Sequence, residues 1–353
     1  MSNQGDLGFP DARFWEELGD DEGRLADDFG ERAFDGLLLD GPRQVRLASR
    51  ADLPLVGVRA STIRDNILIS LQRRLVVVAS ALESGEVRAA TAFRINDDVR
   101  RPRTPKDEAR IPQGRTVKVF RLLVNERIDD LPWRPGILQS HVLLYDQRSN
   151  PVTTTLLGDD VQDPAVRDFL AAQGQALFPP AVWPPVGAPR VNGDGRHPYR
   201  ARPDSPPAPE RAGIALAVER VVVKRAGASC ILRGSFALPV LERDAVRPAP
   251  APPAEGWVDV GDPDAKAVLP VTVLLTGDTV ADPITLALRV PAYGAAEPGS
   301  LAVGHFAVDL FQLAPGAIEA QSYAVWAIAR GVISQPALVG VVTEDMLPRQ
   351  GAR

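Results

Sequence analysis

A single cysteine, Cys230, stands in a chain of 353 residues, so no intrachain disulfide can form. The same scarcity removes thiolate metal sites, because no C-x-x-C pair exists to build one. Histidine is nearly as rare. His141 ("QSHVLLY") and His305 ("VGHFAVDL") lie in apolar stretches and His197 ("DGRHPYR") in a proline-rich one, with no H-E-x-x-H spacing among them. His141 and His305 read as partly buried strand residues at related positions, and His197 as part of the proline-rich linker. No G-x-S-x-G, G-x-G-x-x-G or G-x-x-x-x-G-K-[ST] occurs, which removes the common nucleophile-elbow and phosphate-cradling motifs. No apolar run approaches the ~20 residues of a membrane helix. The opening "MSNQGDLGFPDARFWEELGDDEG" carries neither a basic n-region nor an apolar h-region. The expectation is a cytoplasmic protein with no membrane partner, no metal and no cofactor.

Lysine is scarce too: only Lys106, Lys118, Lys224 and Lys266 among 40 basic residues. The net charge of −5 is uneven, since residues 1–40 hold twelve acidic and three basic residues. No concentrated basic stripe remains to attract nucleic acid. "RRPRTPK" at 100–106 is flanked by Asp97, Asp98, Asp107 and Glu108 and reads as a solvated loop. Cys230, between apolar neighbours, reads as a small packed hydrophobe.

What the chain has in quantity is proline (33), glycine (29) and short apolar runs, with 45% hydrophobic and 24% charged residues. That composition suits a folded chain with room for two domains. The acidic start is studded with Phe14, Trp15, Leu18, Leu25, Phe29, Phe34 and Leu37 at partly helical spacing, interrupted by Gly19, Gly23 and Gly30. From about Leu53 the pattern becomes β-like: "NILISLQ" (66–72), "RLVVVASAL" (74–82), "EVRAATAFRI" (86–95), "TVKVFRLLV" (116–124) and "ILQSHVLLYD" (137–146), separated by turn residues. "DPAVRDFLAAQGQALF" carries the one clear helix signal, with Asp163 as N-cap and Pro164 at the first position. Ten prolines between 179 and 209 then favour extended polyproline conformation over a packed strand.

A second β-like series follows: "GIALAVERVVV" (213–223), "ASCILRGSFALPV" (228–240), "AVLPVTVLLTG" (267–277), "ITLALRV" (284–290), "LAVGHFAVDLFQL" (301–313) and "SYAVWAIAR" (322–330). The predicted fold is therefore mainly β: two tandem antiparallel, immunoglobulin-like β-sandwich domains, with an internal duplication. The expected organisation is an acidic N-terminal arm (1–50), a first sandwich (51–162), a helix and Pro-rich linker (163–212), a second sandwich (213–346) and a tail (347–353). Duplication is suggested by "SNPVTTTLLGDD" (149–160) and "SQPALVGVVTED" (334–345), which align Ser149 with Ser334, Pro151 with Pro336 and Asp160 with Asp345. Upstream, the triple-Val run 76–78 is matched to 221–223. The closing "YAVWAIARGVISQPALVGVV" resembles the last hairpin of immunoglobulin-like sandwiches. That resemblance covers only the final strands and implies fold, not function.

Three functions are weighed. The first is a non-enzymatic structural or interaction protein that binds a protein partner or itself, docking Phe14, Trp15, Leu18, Leu25 and Phe29 of the arm into an apolar groove. The second is a carbohydrate- or peptide-binding module using Trp133, Trp183 and Trp257 as stacking platforms. The third is a hydrolase drawing on loop carboxylates among Asp159, Asp160, Asp194, Asp262, Asp264, Asp278 and Asp282, which could also bind calcium. The absence of any catalytic constellation favours the first, with no catalytic residues assigned.

Overall fold

A computed structural model describes residues 36–47, 53–61, 74–94, 116–128, 130–131, 134–158, 205–239, 257–259, 267–277, 282–294 and 301–346. The chain divides into two compact units, Met1–Trp183 and Pro184–Arg353.

In the first unit the strands are β1 (Gly36–Asp40), β2 (Gln44–Arg46), β3 (Pro54–Ser61), β4 (Arg74–Ala81), β5 (Glu86–Arg94), β6 (Thr116–Leu123), β7 (Gly136–Leu144), β8 (Gln147–Arg148) and β9 (Val152–Leu157), with one helical turn, α1 (Val124–Arg127), after β6. They form two sheets, β1-β3-β6 and β2-β9-β7-β4-β5, with β8 paired to β7. Neighbours run antiparallel except β2 and β9, where Val45 faces Leu156 in a parallel ladder. Side chains alternate faces along a strand. Leu37 and Leu39 of β1, Leu55 of β3 and Phe120 and Leu122 of β6 thereby join Val77, Ala79, Leu138, Val142 and Leu156 of the other sheet in one core.

The second unit contains β10 (Gly213–Ala217), β11 (Val221–Lys224), β12 (Ile231–Pro239), β13 (Trp257–Asp259), β14 (Ala267–Gly277), β15 (Ile284–Gly294), β16 (Leu301–Asp309), the helical turn α2 (Leu310–Leu313), β17 (Ser322–Ala329), β18 (Val332–Ile333) and β19 (Ala337–Thr343). Its strand order, β10-β12-β16-β15-β14-β17-β19-β11, contains the same triple and the same five-strand set. They are joined here because β15 reaches far enough for Tyr293 and Gly294 to pair with Val303 and Ala302.

The correspondence extends to register. Gly36 faces Ala60 and Gly213 faces Ala237. Gly57 faces Phe120 and Gly234 faces Phe306. In both pairs the ring lies over the glycine: a Cβ would stand 2.0 Å from Phe120 Cζ at Gly57 and 2.2 Å from Phe306 Cζ at Gly234. Backbone approach of that kind is what glycine inside a strand permits. Each helical turn is tied back the same way, by Val124 N–H to the Leu53 carbonyl (3.0 Å) and Leu310 N–H to the Cys230 carbonyl (2.9 Å). Parallel β2–β9 has its counterpart in parallel β11–β19, where Val222 faces Val341.

Several sequence expectations are corrected. Residues 36–46, assigned to the arm, supply β1 and β2. Leu37, Leu38 and Leu39 are almost fully buried, so this apolar triplet is core. "GIALAVERVVV" is two strands: after Ala217 the chain leaves β12's side, and Val221–Lys224 pair with β19 instead. The triple-Val match fails for the same reason, since 221–223 occupies the place of β2. The counterpart of Val77, which faces Val142, is Val273, which faces Ala327. "LAVGHFAVDLFQL" ends its strand at Asp309, whose carboxylate accepts from Phe311 N–H at 3.0 Å and caps α2. His141 and His305 are unrelated: His141 lies on β7 opposite Val78, the place of Trp326 opposite Leu274 in the second unit. His305 lies on β16 opposite Ser235.

Strands β7 and β17 are buried on both faces: Val142 and Leu144 on β7, and Val325 and Ala327 on β17, lie in the cores of their units, while His141 and Leu143, and Trp326 and Ile328, at the alternate positions are shielded from solvent as well. That explains why "SYAVWAIAR" reads as a continuous apolar run, without the alternation of a half-exposed strand.

Candidate interaction surface

Most residues singled out from the sequence lie outside the described residues: Phe14, Trp15, Leu18, Leu25, Phe29, Trp133, Trp183, Asp159, Asp160, Asp194, Asp262, Asp264 and Asp278. Trp257 opens β13, whose backbone runs parallel to β15 with Trp257 facing Ala287. Asp282 is exposed at the start of the segment that leads into β15.

Among the described residues no group of three His, Cys, Asp or Glu side chains converges as a metal would require. Nor is any helix there long and apolar enough to cross a membrane. Cys230 is 1% exposed, and burial, with Asp309 and Glu219 nearby, pushes its thiol up to about 11. A buried thiol that holds its proton is a packing group, not a nucleophile. A shallow depression of about 330 Å³ lies over β3 and β6, lined in part by Pro54, Val56, Arg121 and Arg127. It presents charged rims and few converging polar groups, unlike an enclosed ligand pocket.

The outer strands of the sheets offer more. Among the described residues of the first unit β5 ends its sheet, and that rim is charged: Arg88 bridges Glu86 and Asp130 (2.6 Å), while Arg134 reaches Glu86 at 3.1 Å. Exposed pairs of this kind add little stability. They do discourage another strand from pairing there. At the opposite end, β2 shows Gln44 and Arg46 to solvent around buried Val45.

The equivalent edge of the second unit is built differently. β11 places buried Val222 where β2 has Val45, but its flanking residues are Val221 and Val223 in place of Gln44 and Arg46. Val221 is 61% exposed, and Leu338 on neighbouring β19, two residues before Gly340, is 44% exposed. Gly340 faces Val221 across the ladder and has no side chain to cover it. Leu338 corresponds to Thr153 in the hairpin register, so the exchange of polar for apolar recurs on the adjacent strand.

The open backbone of β11 can also be assigned. Gly340 N–H donates to the Arg220 carbonyl at 2.8 Å. In a parallel ladder alternate residues address the partner. Arg220, Val222 and Lys224 therefore face β19, and the N–H and C=O groups of Val221 and Val223 face away from it. Among the described residues β11 is the terminal strand of its sheet. The sequence pattern alone reads 213–223 as one strand and assigns no role to Val221 or Leu338. The signal available was an apolar triplet between charges, "ERVVVKR", where the first unit has "RQVRL".

The described residues thus define a mainly β protein with two similar pairs of sheets in tandem. No protein-family model and no curated protein matches the chain. Among solved structures, it is similar to the C-terminal domain of the Streptococcus agalactiae AgI/II polypeptide BspA (8% identity, 85% of this chain and 95% of that one, TM-score 0.19). It is also similar to the C-terminal domain of the Streptococcus pyogenes antigen I/II-family protein AspA (7% identity, 87% and 99%, TM-score 0.17). At these TM-scores neither likeness bears on what the chain does.

Proposed function

We propose that the chain is a non-enzymatic structural or interaction protein made of two immunoglobulin-like β-sandwiches derived from one by duplication. The carrying observation is the edge formed by Val221, Val223 and Leu338, which exposes Val221 and Leu338 and leaves Val223 half-buried where the first unit has Gln44, Thr153 and Arg46. Exposed apolar surface on an otherwise well-packed sheet is costly to maintain without a use.

Three features support the immunoglobulin-like assignment. A short first strand moves from one sheet to the other, β1 to β2 and β10 to β11, ending parallel to the last strand. A helical turn joins matched strands in each unit, α1 between β6 and β7 and α2 between β16 and β17; these are the fifth and sixth strands when the split first strand counts once and β13 is set aside. At the start of β17, the Tyr323 hydroxyl accepts from Glu319 N–H at 2.8 Å and donates to the Glu319 carbonyl at 3.2 Å. That back-bonded tyrosine is the corner found in such sandwiches.

Within this reading the acidic arm, with Phe14, Trp15, Leu18, Leu25 and Phe29, docks on a neighbouring molecule, and the protein works in the cytoplasm without cofactor. Size-exclusion chromatography with light scattering on the intact chain and on a chain lacking residues 1–35 tests the arm. The cut stops at 35 because β1 begins at Gly36. A smaller assembly after truncation supports arm docking, whereas identical monomers before and after refute assembly.

A further inference from the structure

We propose that the open edge of β11 is a self-association surface: two copies of this chain pair β11 with β11, antiparallel, around a two-fold axis at Val222. This deepens the interaction reading above and rests on it.

The partner is read from the strand's own order, Glu219-Arg220-Val221-Val222-Val223-Lys224-Arg225. The outward backbone groups belong to Val221 and Val223, with Val222 between them turned toward β19. A two-fold axis perpendicular to the sheet at Val222 sets Val221 of one copy opposite Val223 of the other. In an antiparallel ladder, two residues that both present their N–H and C=O exchange both bonds. The two symmetry-related Val221–Val223 pairs would therefore form four backbone hydrogen bonds.

The same register brings Glu219 opposite Arg225 at each end, a unit of opposite charge twice over. Both side chains are exposed in the single chain and available to meet. The register also sets Arg220 opposite Lys224, a repulsive pair as written. Lys224 is drawn aside, however, because its ammonium donates to the Ile318 carbonyl at 2.6 Å. Val221, Val223 and Leu338 of the two copies would form one apolar strip on the outer face. An isologous contact of this kind closes on itself and yields a dimer, not a fibre.

The first unit's edge does not satisfy the same conditions. Gln44 and Arg46 flank Val45, so self-pairing there would hold polar and charged side chains on the strip. An unrelated extended peptide could form the backbone bonds with β11, but nothing would then require the Glu219–Arg225 complementarity. A second copy is the occupant that the order of charges fits.

The test is sedimentation equilibrium on full-length protein, with circular dichroism to confirm folding. The intact chain should dimerise. Val221→Lys should weaken the dimer by about tenfold or more, since two lysines enter the strip. Val221 is largely exposed, so the substitution leaves the fold in place. Glu219→Arg should weaken it similarly, and adding Arg225→Glu should restore it, which only the proposed register predicts. A dimer unchanged by Val221→Lys, or an uncorrected Glu219→Arg defect in the double variant, overturns the pairing. A full-length Phe14→Ser/Trp15→Ser variant separates the two ideas. If it dissociates while Val221→Lys does not, the edge proposal fails and the arm reading stands. Monomers throughout sink both.

Discussion

Ser149 and Val142 hold one another across the β7–β8 turn. Val142 N–H donates to Ser149 Oγ at 3.0 Å, and Ser149 N–H donates to the Val142 carbonyl at 2.9 Å. Ser334 and Ala327 repeat the arrangement, both bonds at 2.9 Å. Between these anchors Tyr145 and Arg330 take the same left-handed backbone, with φ of 54° and 49°. Non-glycine residues adopt that conformation rarely, so its recurrence at matched positions ties the two hairpins together in detail.

Replacing Ser149 by Ala leaves the buried Val142 N–H without its side-chain acceptor. The expected cost is ~1–3 kcal/mol. Hydrogen exchange read by mass spectrometry should show faster exchange across 138–150 and no change across 323–335. Ser334→Ala should give the reverse. Equal effects on both segments would mean that the two units do not open separately.

Gly57 and Gly234 are expected to resist any side chain. Gly57→Ala drives a methyl into the Phe120 ring and should destabilise by ~1–3 kcal/mol in urea unfolding. Adding Phe120→Leu should recover part of the loss, because the two positions share one space. Additive costs would contradict the stacked geometry. Gly234 and Phe306 should behave alike.

Asp309 joins two elements through one oxygen, accepting from Phe311 N–H and Cys230 N–H, both at 3.0 Å. Asp309→Ala should cost ~1–2 kcal/mol and Asp309→Asn less, since an amide oxygen can still cap. The first unit serves its corner from another residue, with Asn125 Oδ1 accepting from Leu53 N–H at 3.0 Å. Asn125→Ala should therefore loosen that corner in hydrogen exchange.

Cys230 makes stability fall in alkali. Its folded thiol is raised from 9.0 to about 11, first by burial and then by Asp309 and Glu219. Between those values the unfolded chain loses a proton that the folded chain keeps, so unfolding becomes easier as pH rises. Burial raises the Tyr323 hydroxyl as well and adds in the same direction. Denaturant midpoints should decline above about pH 9 in the intact chain and decline less in Cys230→Ala. A flat profile, or rapid labelling of the native thiol at pH 8, would contradict the buried site.

Much of the fold was legible where pairing is local. Alternation and turn residues marked β4 to β5, β7 to β9 and β17 to β19, and the Ser149–Ser334 alignment found hairpins that coincide in register. Placement failed where partners are distant in sequence. "VVV" at 76–78 and 221–223 look identical, but one run fills the middle of a sheet and the other an edge, decided by pairing with β19 more than a hundred residues on. β1 was hidden by its acidic surroundings, although "GLLLD" is a strand buried almost throughout. The open edge at Val221 could not be seen before the step from β10 to β11 was known, because exposure depends on which side of a strand lacks a neighbour.

If the second unit carries an edge made for association, sedimentation velocity of the intact 37.9 kDa chain across a concentration series will reveal it. A boundary that moves from monomer toward dimer as concentration rises is the predicted result. A single boundary at 37.9 kDa throughout the series would contradict it.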